Sequence, residues 1–345
     1  MPIPDDAAPA AAASIRQLFA RRSLRVPGTR LGAIALPAPA GLRSHWHYWW
    51  QAHFLDCLID EHLRDPSGHA LPEARKLARG IWLRNGARWR NAYYDDMAWL
   101  ALALQRLDAV EGRRRPSRPV RVLGDALRSA HTQELGGGVF WNTTRDYKNT
   151  PSTAPAALFF ARAGEEERAQ RLLDWLREHL FETGSGLYLD GIRTDGRVER
   201  TLHTYNQGTV LGALVAVGGR SNLQHAGELV EAIARDMAAD DGVLPLGSTG
   251  DGGLFTGILA RYLARAAVSD IGGSDVGGSA ATTARHLLES TAAYVWTGRT
   301  PMAGGGIVFP PPQDGAISLS SQLQAWMILE AERASRSRQD PGPRI

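Results

Sequence analysis

A single cysteine, Cys57, stands among 345 residues, so no internal disulfide can form and the redox compartment is left open. Set in LDCLID, it reads as a small core residue. Lysine is almost missing too: Lys76 and Lys148 are the only two, and arginine carries nearly all the positive charge. The 39 basic residues face 36 acidic ones, which leaves no charge excess to favour nucleic acid or an anionic membrane as partner. No run approaches the roughly 20 apolar residues of a spanning helix, which argues against a transmembrane segment. The N-terminus, MPIPDDAAPAAAAS, is acidic and rich in Pro and Ala, and the basic stretch Arg21–Arg30 precedes only the short, proline-broken LGAIALPAPAG. That pattern does not read as a secretory leader, so a cytoplasmic location is the expectation.

What the chain does have is apolar bulk, 43% of residues, enough for a sizeable core. Periodicity predicts helices almost throughout, of two alternating kinds. One kind opens on polar or aromatic residues and then runs nearly without charge: Trp49–Ile59, Tyr93–Leu107, Thr153–Ala163, Tyr205–Val217, Gly252–Leu263 and Leu319–Ala331. The other is amphipathic, as in EEERAQRLLDWLREHLFE, where Leu172, Trp175, Leu176 and Leu180 form one stripe. Similar stripes fall near Leu71–Asn85, Pro119–Gln133, Gln224–Ala239 and Thr282–Trp296. A helix apolar all round must be enclosed, and an amphipathic one covers it. Six enclosed helices alternating with outer ones predict an all-α fold, the (α/α)6 toroid, a closed double ring of helical hairpins. An open two-layer bundle is the simpler alternative.

Only five outer helices lie between the inner six. Ala11–Arg22 is a candidate for the sixth, although residues 1–41 as a whole read as a disordered or peripheral segment. GLYLDGIRTDGRVERTL (Gly186–Leu202) predicts one small β-hairpin, with turns at Asp190-Gly191 and Asp195-Gly196. The low-complexity stretch Ser269–Ala280 reads as mobile or solvated. One domain over residues 42–334, with a disordered tail at 335–345, is expected.

Chemistry is most legible in NAYYDDMAW (Asn91–Trp99), where Asp95 and Asp96 sit between tyrosines and a tryptophan at the mouth of an uncharged helix. Glycoside hydrolysis needs two carboxyl groups, and retention of configuration needs them about 5–5.5 Å apart. Neighbouring helical side chains diverge by about 100°, which lets them reach opposite sides of one bond. Mutual repulsion and aromatic walls should raise one pKa, leaving one neutral acid and one anion. The plainer reading is that both acids only serve a helix N-terminus. In a toroid the polar openings of the inner helices meet at one end. The sequence places there Trp49, Trp50, Tyr93, Tyr94, Trp141, Asn142, Lys148, Asn149, Tyr205, Asn206, Gln207 and Asp251. Rings stack on sugar faces, and amides and carboxylates bond hydroxyls.

Other readings are weaker. A DDxxD metal motif would need an acid where Trp99 stands. His45, His47 and His53 are close in sequence, but their spacing fits no common zinc site. GSTGDGGLF (Gly247–Phe255) lacks the lysine and strand of a phosphate-binding loop. Trp141 serves as a stacking platform or as core, and Lys148-Asn149 as a subsite or as a capped turn.

Taken in order, NAYYDDMAWLALAL, GGGVFWNTTRDYKNTPSTAPAALFFARA, TYNQGTVLGALVAV and GDGGLFTGILARYL resemble glycoside hydrolase family 76, the α-1,6-mannanase family. HWHYWWQAHFLDCLID and LSSQLQAWMILEA resemble its first and last inner helices, so the likeness spans about Trp46–Ala331. The resemblance implies an (α/α)6 toroid, a retaining mechanism, an α-mannan or manno-oligosaccharide substrate, and neither metal nor organic cofactor. It assigns Asp95 as nucleophile and Asp96 as general acid/base, with Tyr205, Asn206, Gln207 and Asp251 lining sugar subsites. Two features depart from the family: the missing leader, since members are usually exported, and Thr150-Pro151 after Lys148-Asn149. A transglycosylase, a histidine-dependent sugar epimerase or isomerase, and a non-catalytic glycan-binding ring are the alternatives.

Overall fold

Six helices run through the middle of the molecule because their sequences offer no polar face to water. In the computed structural model they are α2 (Tyr48–Arg64), α4 (Tyr94–Val110), α6 (Thr150–Arg162), α8 (Thr204–Val217), α10 (Gly252–Ala266) and α12 (Leu319–Arg336). The structure describes residues 3–38, 45–269, 277–309 and 316–336. In α8 every residue from Asn206 to Leu214 is buried, even polar Gln207, which bonds the Tyr188 backbone, and Thr209, which donates back to its own helix. Each inner helix packs on the next, and α12 returns to α2, so the ring is closed. The open bundle is thereby excluded.

Between them run outer helices with one buried stripe each: α3 (Ala70–Arg84), α5 (Arg118–Ala130), α7 (Glu166–His179), α9 (Arg220–Asp236) and α11 (Gly277–Thr297). In α5 the stripe is Val120, Leu123, Ala126, Leu127 and Ala130, with arginines on the far side. Interhelix contact in the inner ring is close. A Cβ on Gly208 of α8 would stand 2.6 Å from the Leu259 Cα of α10, so only glycine lets these two backbones meet.

The expectation of a disordered or peripheral head is corrected here. Ala7–Phe19 forms α1, which packs on α12 and α2 and buries Ala11, Ala12, Ile15 and Phe19 completely. It is the sixth outer helix, starting four residues before the candidate Ala11–Arg22. Its alanine-rich face buries little area per residue, yet small side chains let it lie close against α12. Further along the head, Ala35 and Leu36 pair with Ser318 and Ile317 just before α12.

The hairpin is also larger than its sequence implied. Strand Gly191–Arg193 pairs with Val198–Glu199 around Asp195-Gly196, as expected, but its other edge takes Tyr147–Asn149 to make three strands. Asp190-Gly191 is therefore no hairpin turn, because Gly191 sits opposite Asn149 in the ladder. The end of the stretch Ser269–Ala280 is the start of α11, and residues 270–276 lie outside the described residues. α12 continues to Arg336, and the rest of the tail lies outside them as well. No described helix is long and apolar enough to cross a membrane.

Candidate active site

With outer helices carrying the chain back each time, the inner helices all point the same way and their N-termini form one rim. Asp95 and Asp96 occupy the first turn of α4 on that rim. The loop before α6 fixes this turn: Tyr94 N–H donates to the Trp141 carbonyl (2.7 Å), and Thr143 N–H to the Ala92 carbonyl (2.9 Å).

Neither aspartate is a simple helix cap. Asp95 Oδ1 accepts the Asp96 backbone N–H at 2.9 Å, and its Oδ2 accepts the Trp141 indole N–H at 3.0 Å. Asp96 Oδ2 accepts the Asn91 side-chain amide at 2.5 Å, and Asn91 Oδ1 takes the Tyr93 N–H at 2.9 Å. That second bond fixes which end of the Asn91 amide faces Asp96. Both carboxyls are half-buried.

Burial raises both pKa values. The charge of Asp96 adds to the rise at Asp95, and that of Asp251 adds to the rise at Asp96, which reaches about 7. The pair thus keeps a proton at neutral pH. Asp95 receives two N–H donors and Asp96 one, so the hydrogen bonding favours the anion on Asp95 and the proton on Asp96.

Asp251, exposed at the start of α10, accepts both the Trp50 indole N–H (2.8 Å) and the Trp49 indole N–H (3.2 Å) on its Oδ1. His47 stacks on Trp50 at 4.0 Å. Trp49, Phe255, Tyr205 and Trp99 close a ring of contacts, with Tyr205 stacked on Phe255 at 4.1 Å and the other centroids 6.4 to 6.5 Å apart. Tyr93, 42% exposed, leans on Trp141 at 5.3 Å, and the Trp141 indole N–H reaches Asp95.

Of the residues expected here, Asp95, Asp96, Trp141, Tyr205 and Asp251 come together. Others are corrected. Lys148 is fully buried and spent on structure, donating to the carbonyls of Thr132, Glu134 and Gly137 and to Thr132 Oγ1. Asn149 caps α6 by accepting the Ser152 N–H. Gln207 is buried against the Tyr188 backbone, both accepting and donating at 2.8 Å. Asn206 is buried and donates to Asp190 Oδ1 (3.0 Å), whose Oδ2 takes the Tyr147 hydroxyl (2.7 Å). Tyr94 is buried, and Tyr93 takes the exposed place expected of it. Trp50 is buried behind the rim, and half-buried Asn142 folds its own loop by accepting the Thr144 N–H (2.9 Å).

Sequence reasoning missed Asn91, Asp190 and Phe255 as site residues, while Trp99 was read as part of the aromatic wall. Asn91 opens the very segment that drew attention, and a side chain five residues before Asp96 was within reach of it. His53 is buried between Trp49 and Trp99 with both ring nitrogens unpartnered, and burial lowers its pKa to about 3. Among the described residues no group of three His, Cys, Asp or Glu side chains could hold a metal.

A closed double ring of helices with two half-buried carboxyls on its rim is a protein of the (α/α)6 toroid class. The sequence profile of glycosyl hydrolase family 76 matches residues 6–338, and the chain belongs to that family. Among solved structures it is similar to the α-1,6-mannanase of Salegentibacter sp. HEL1_6, with 27% identity and TM-score 0.82 over 95% of this chain and 98% of that one. An inactive variant of that enzyme, two consecutive aspartates replaced by asparagine, was solved with α-1,6-mannotriose and matches at 26% identity and TM-score 0.83 over 96% and 99% of the two chains. The Lin0763 protein of Listeria innocua shares the fold at 23% identity and TM-score 0.83 over 99% of each chain. A comparison with curated protein sequences finds no match.

Proposed function

We propose that this glycoside hydrolase cleaves α-1,6-linked mannan within the chain, by a retaining double displacement in which Asp95 is the nucleophile and Asp96 the acid/base. The observation that carries the reading is the unequal hydrogen bonding of two adjacent carboxyls, two donors on Asp95 and one on Asp96. Asp95 Oδ attacks the anomeric carbon and forms a C–O bond as the glycosidic C–O bond breaks. Asp96 gives its proton to the leaving sugar oxygen. In the second step Asp96 takes a proton from water, whose oxygen displaces Asp95 and restores the starting configuration.

Two further observations support it. Two aromatic groups on the rim, Tyr93 with Trp141 and Tyr205 with Phe255, suit the stacking of more than one sugar, as internal cleavage requires. The Salegentibacter enzyme is inactive when two consecutive aspartates are replaced and binds α-1,6-mannotriose. The test is to incubate the protein with linear α-1,6-mannooligosaccharides and follow product length and anomeric configuration. Internal products of α configuration are expected; β products, or binding without turnover, would reject the mechanism.

The pH dependence follows from Asp96. Cleavage should fall as pH rises through about 7, where its carboxyl loses the proton that the leaving group needs. Asp251→Asn keeps an acceptor for the two indoles but removes a negative charge that helps to raise Asp96. Its alkaline limb in kcat/KM should move to lower pH, with a several-fold loss at pH 7 and little loss in acid. An unshifted limb would sever Asp251 from the protonation of Asp96.

A further inference from the structure

Asp96 is set among groups that oppose its negative charge, and one side chain works the other way. Asp95 stands beside it, while Asp251 of α10 and the Tyr48 hydroxyl of α2 are its electrostatic neighbours. Burial and Asp251 push its carboxyl up, and the Asn91 amide counters them by donating to Oδ2 at 2.5 Å.

The loop before α4 is built to present that amide. Asn85, which ends α3, donates to the carbonyls of Arg88 (2.8 Å) and Arg90 (3.0 Å). The Tyr48 hydroxyl of α2 donates to the Trp89 carbonyl at 2.5 Å, and Arg90 Nε reaches the Val122 carbonyl of α5 at 3.2 Å. On the other side of Asn91, the Ala92 carbonyl is held by the Thr143 N–H. The amide is therefore fixed in place from both directions along the chain.

Closing the first turn of α4 does not explain this side chain. That task uses only Asn91 Oδ1, which takes the Tyr93 N–H (2.9 Å). Aspartate would serve it as well, since a negative charge is favoured at a helix N-terminus. Aspartate has no N–H, however, and would set a third carboxylate against Asp95 and Asp96. What asparagine adds is a neutral donor of fixed direction.

A neutral carboxyl carries its proton on one oxygen. On Asp96 Oδ2 that proton would point at the Asn91 N–H, donor against donor. It therefore sits on Oδ1, which accepts no hydrogen bond from the described residues. As the proton passes from Oδ1 to the glycosidic oxygen, whose bond to the anomeric carbon breaks, Oδ2 gains negative charge. The N–H bond to it then strengthens, so the interaction grows in the direction of the reaction.

We infer that Asn91 is the positioning residue of the acid/base: it confines the Asp96 proton to Oδ1 and steadies the carboxylate once that proton has gone. The inference rests on the proposed role of Asp96 as the acid.

Two variants test it. Asn91→Asp keeps the acceptor for the Tyr93 N–H and removes only the donor, and Asn91→Ala removes both. Each is compared with the parent on α-1,6-mannan, whose leaving oxygen needs a proton, and on the dinitrophenyl glycoside of α-1,6-mannobiose, whose leaving group does not. On mannan kcat/KM should fall at least about tenfold in both variants, and on the activated substrate no more than about threefold. The alkaline limb on mannan should move up by about one pH unit, because a donor that favours the anion is gone. That shift is opposite in sign to the one expected of Asp251→Asn. Equal losses on both substrates with an unmoved limb, the pattern of a disturbed helix start, overturn the inference, as do parent-like values. Asp96→Ala, assayed beside them, separates two failures. If it spares the activated substrate and the Asn91 variants do not, only the role of Asn91 is lost. If it fails to spare that substrate, Asp96 is not the acid and the inference falls with it.

Discussion

Asp95→Ala should lower mannooligosaccharide release at least about 10³-fold, because no other carboxylate can take its place against the anomeric carbon. The loss should appear in kcat with substrate binding nearly kept, since the aromatic walls do not depend on this side chain. Asp96→Ala should lose as much on unactivated mannan but much less on a substrate with a good leaving group, which departs without a proton. Added azide separates the two roles. In Asp96→Ala it resolves the glycosyl-enzyme and gives an α-mannosyl azide, with retention. In Asp95→Ala it attacks the substrate directly and gives the β product, with inversion. Exchanged outcomes would exchange the assignments, and activity surviving in Asp95→Ala would remove it from the chemistry.

The second large effect concerns stability. Asp56 is 7% exposed and bonded to two guanidiniums, each also bonded to Asp60. Asp56→Ala would leave two largely buried arginines sharing one carboxylate. Breaking a buried pair from one side costs about 3–5 kcal/mol, so a fall in Tm of about 6–12 °C is expected. Burial alone would push the Asp56 carboxyl up, but Arg106 and Arg261 hold it well below the usual carboxylate range. A depressed carboxyl stabilises the fold above its unfolded pKa and ceases to do so as pH falls through the folded one. The contribution is therefore complete at neutral pH and disappears only in strong acid. Thermal melts of the variant and the parent at pH 7 measure it, and a drop below about 2 °C would show this ion-pair network to be dispensable.

How far the sequence revealed this molecule depended on how local each determinant was. Charge-free runs such as YNQGTVLGALVAV carry their burial in their own composition, so the inner ring could be read directly. The aspartate pair was legible for the same reason, with its aromatic setting written beside it. Lys148 and Gln207 were misread because their partners are backbone atoms from other segments, Thr132 to Gly137 for one and Tyr188 for the other. A polar residue at a helix mouth looks the same in sequence whether it meets a ligand or a carbonyl. Asp190 was taken for a turn because Asp-Gly is a strong local signal. The ladder that displaced it, Asn149 opposite Gly191, spans more than 40 residues. Helix α1 was undervalued because alanine buries little area per residue, and only the fit against α12 makes that area count.

That fit has a consequence for biogenesis. Arg333 donates to the Asp5 carbonyl, Leu319 N–H to the Ile34 carbonyl, and Leu36 lies opposite Ile317. Residues 5–36 and 317–333 are thus neighbours, and their meeting completes the circle. On the ribosome, the alanine-rich α1 must wait for its seat until α12, about 300 residues further on, has emerged. Circular permutation, joining head to tail and opening an outer loop instead, would let that junction form early and should hasten refolding.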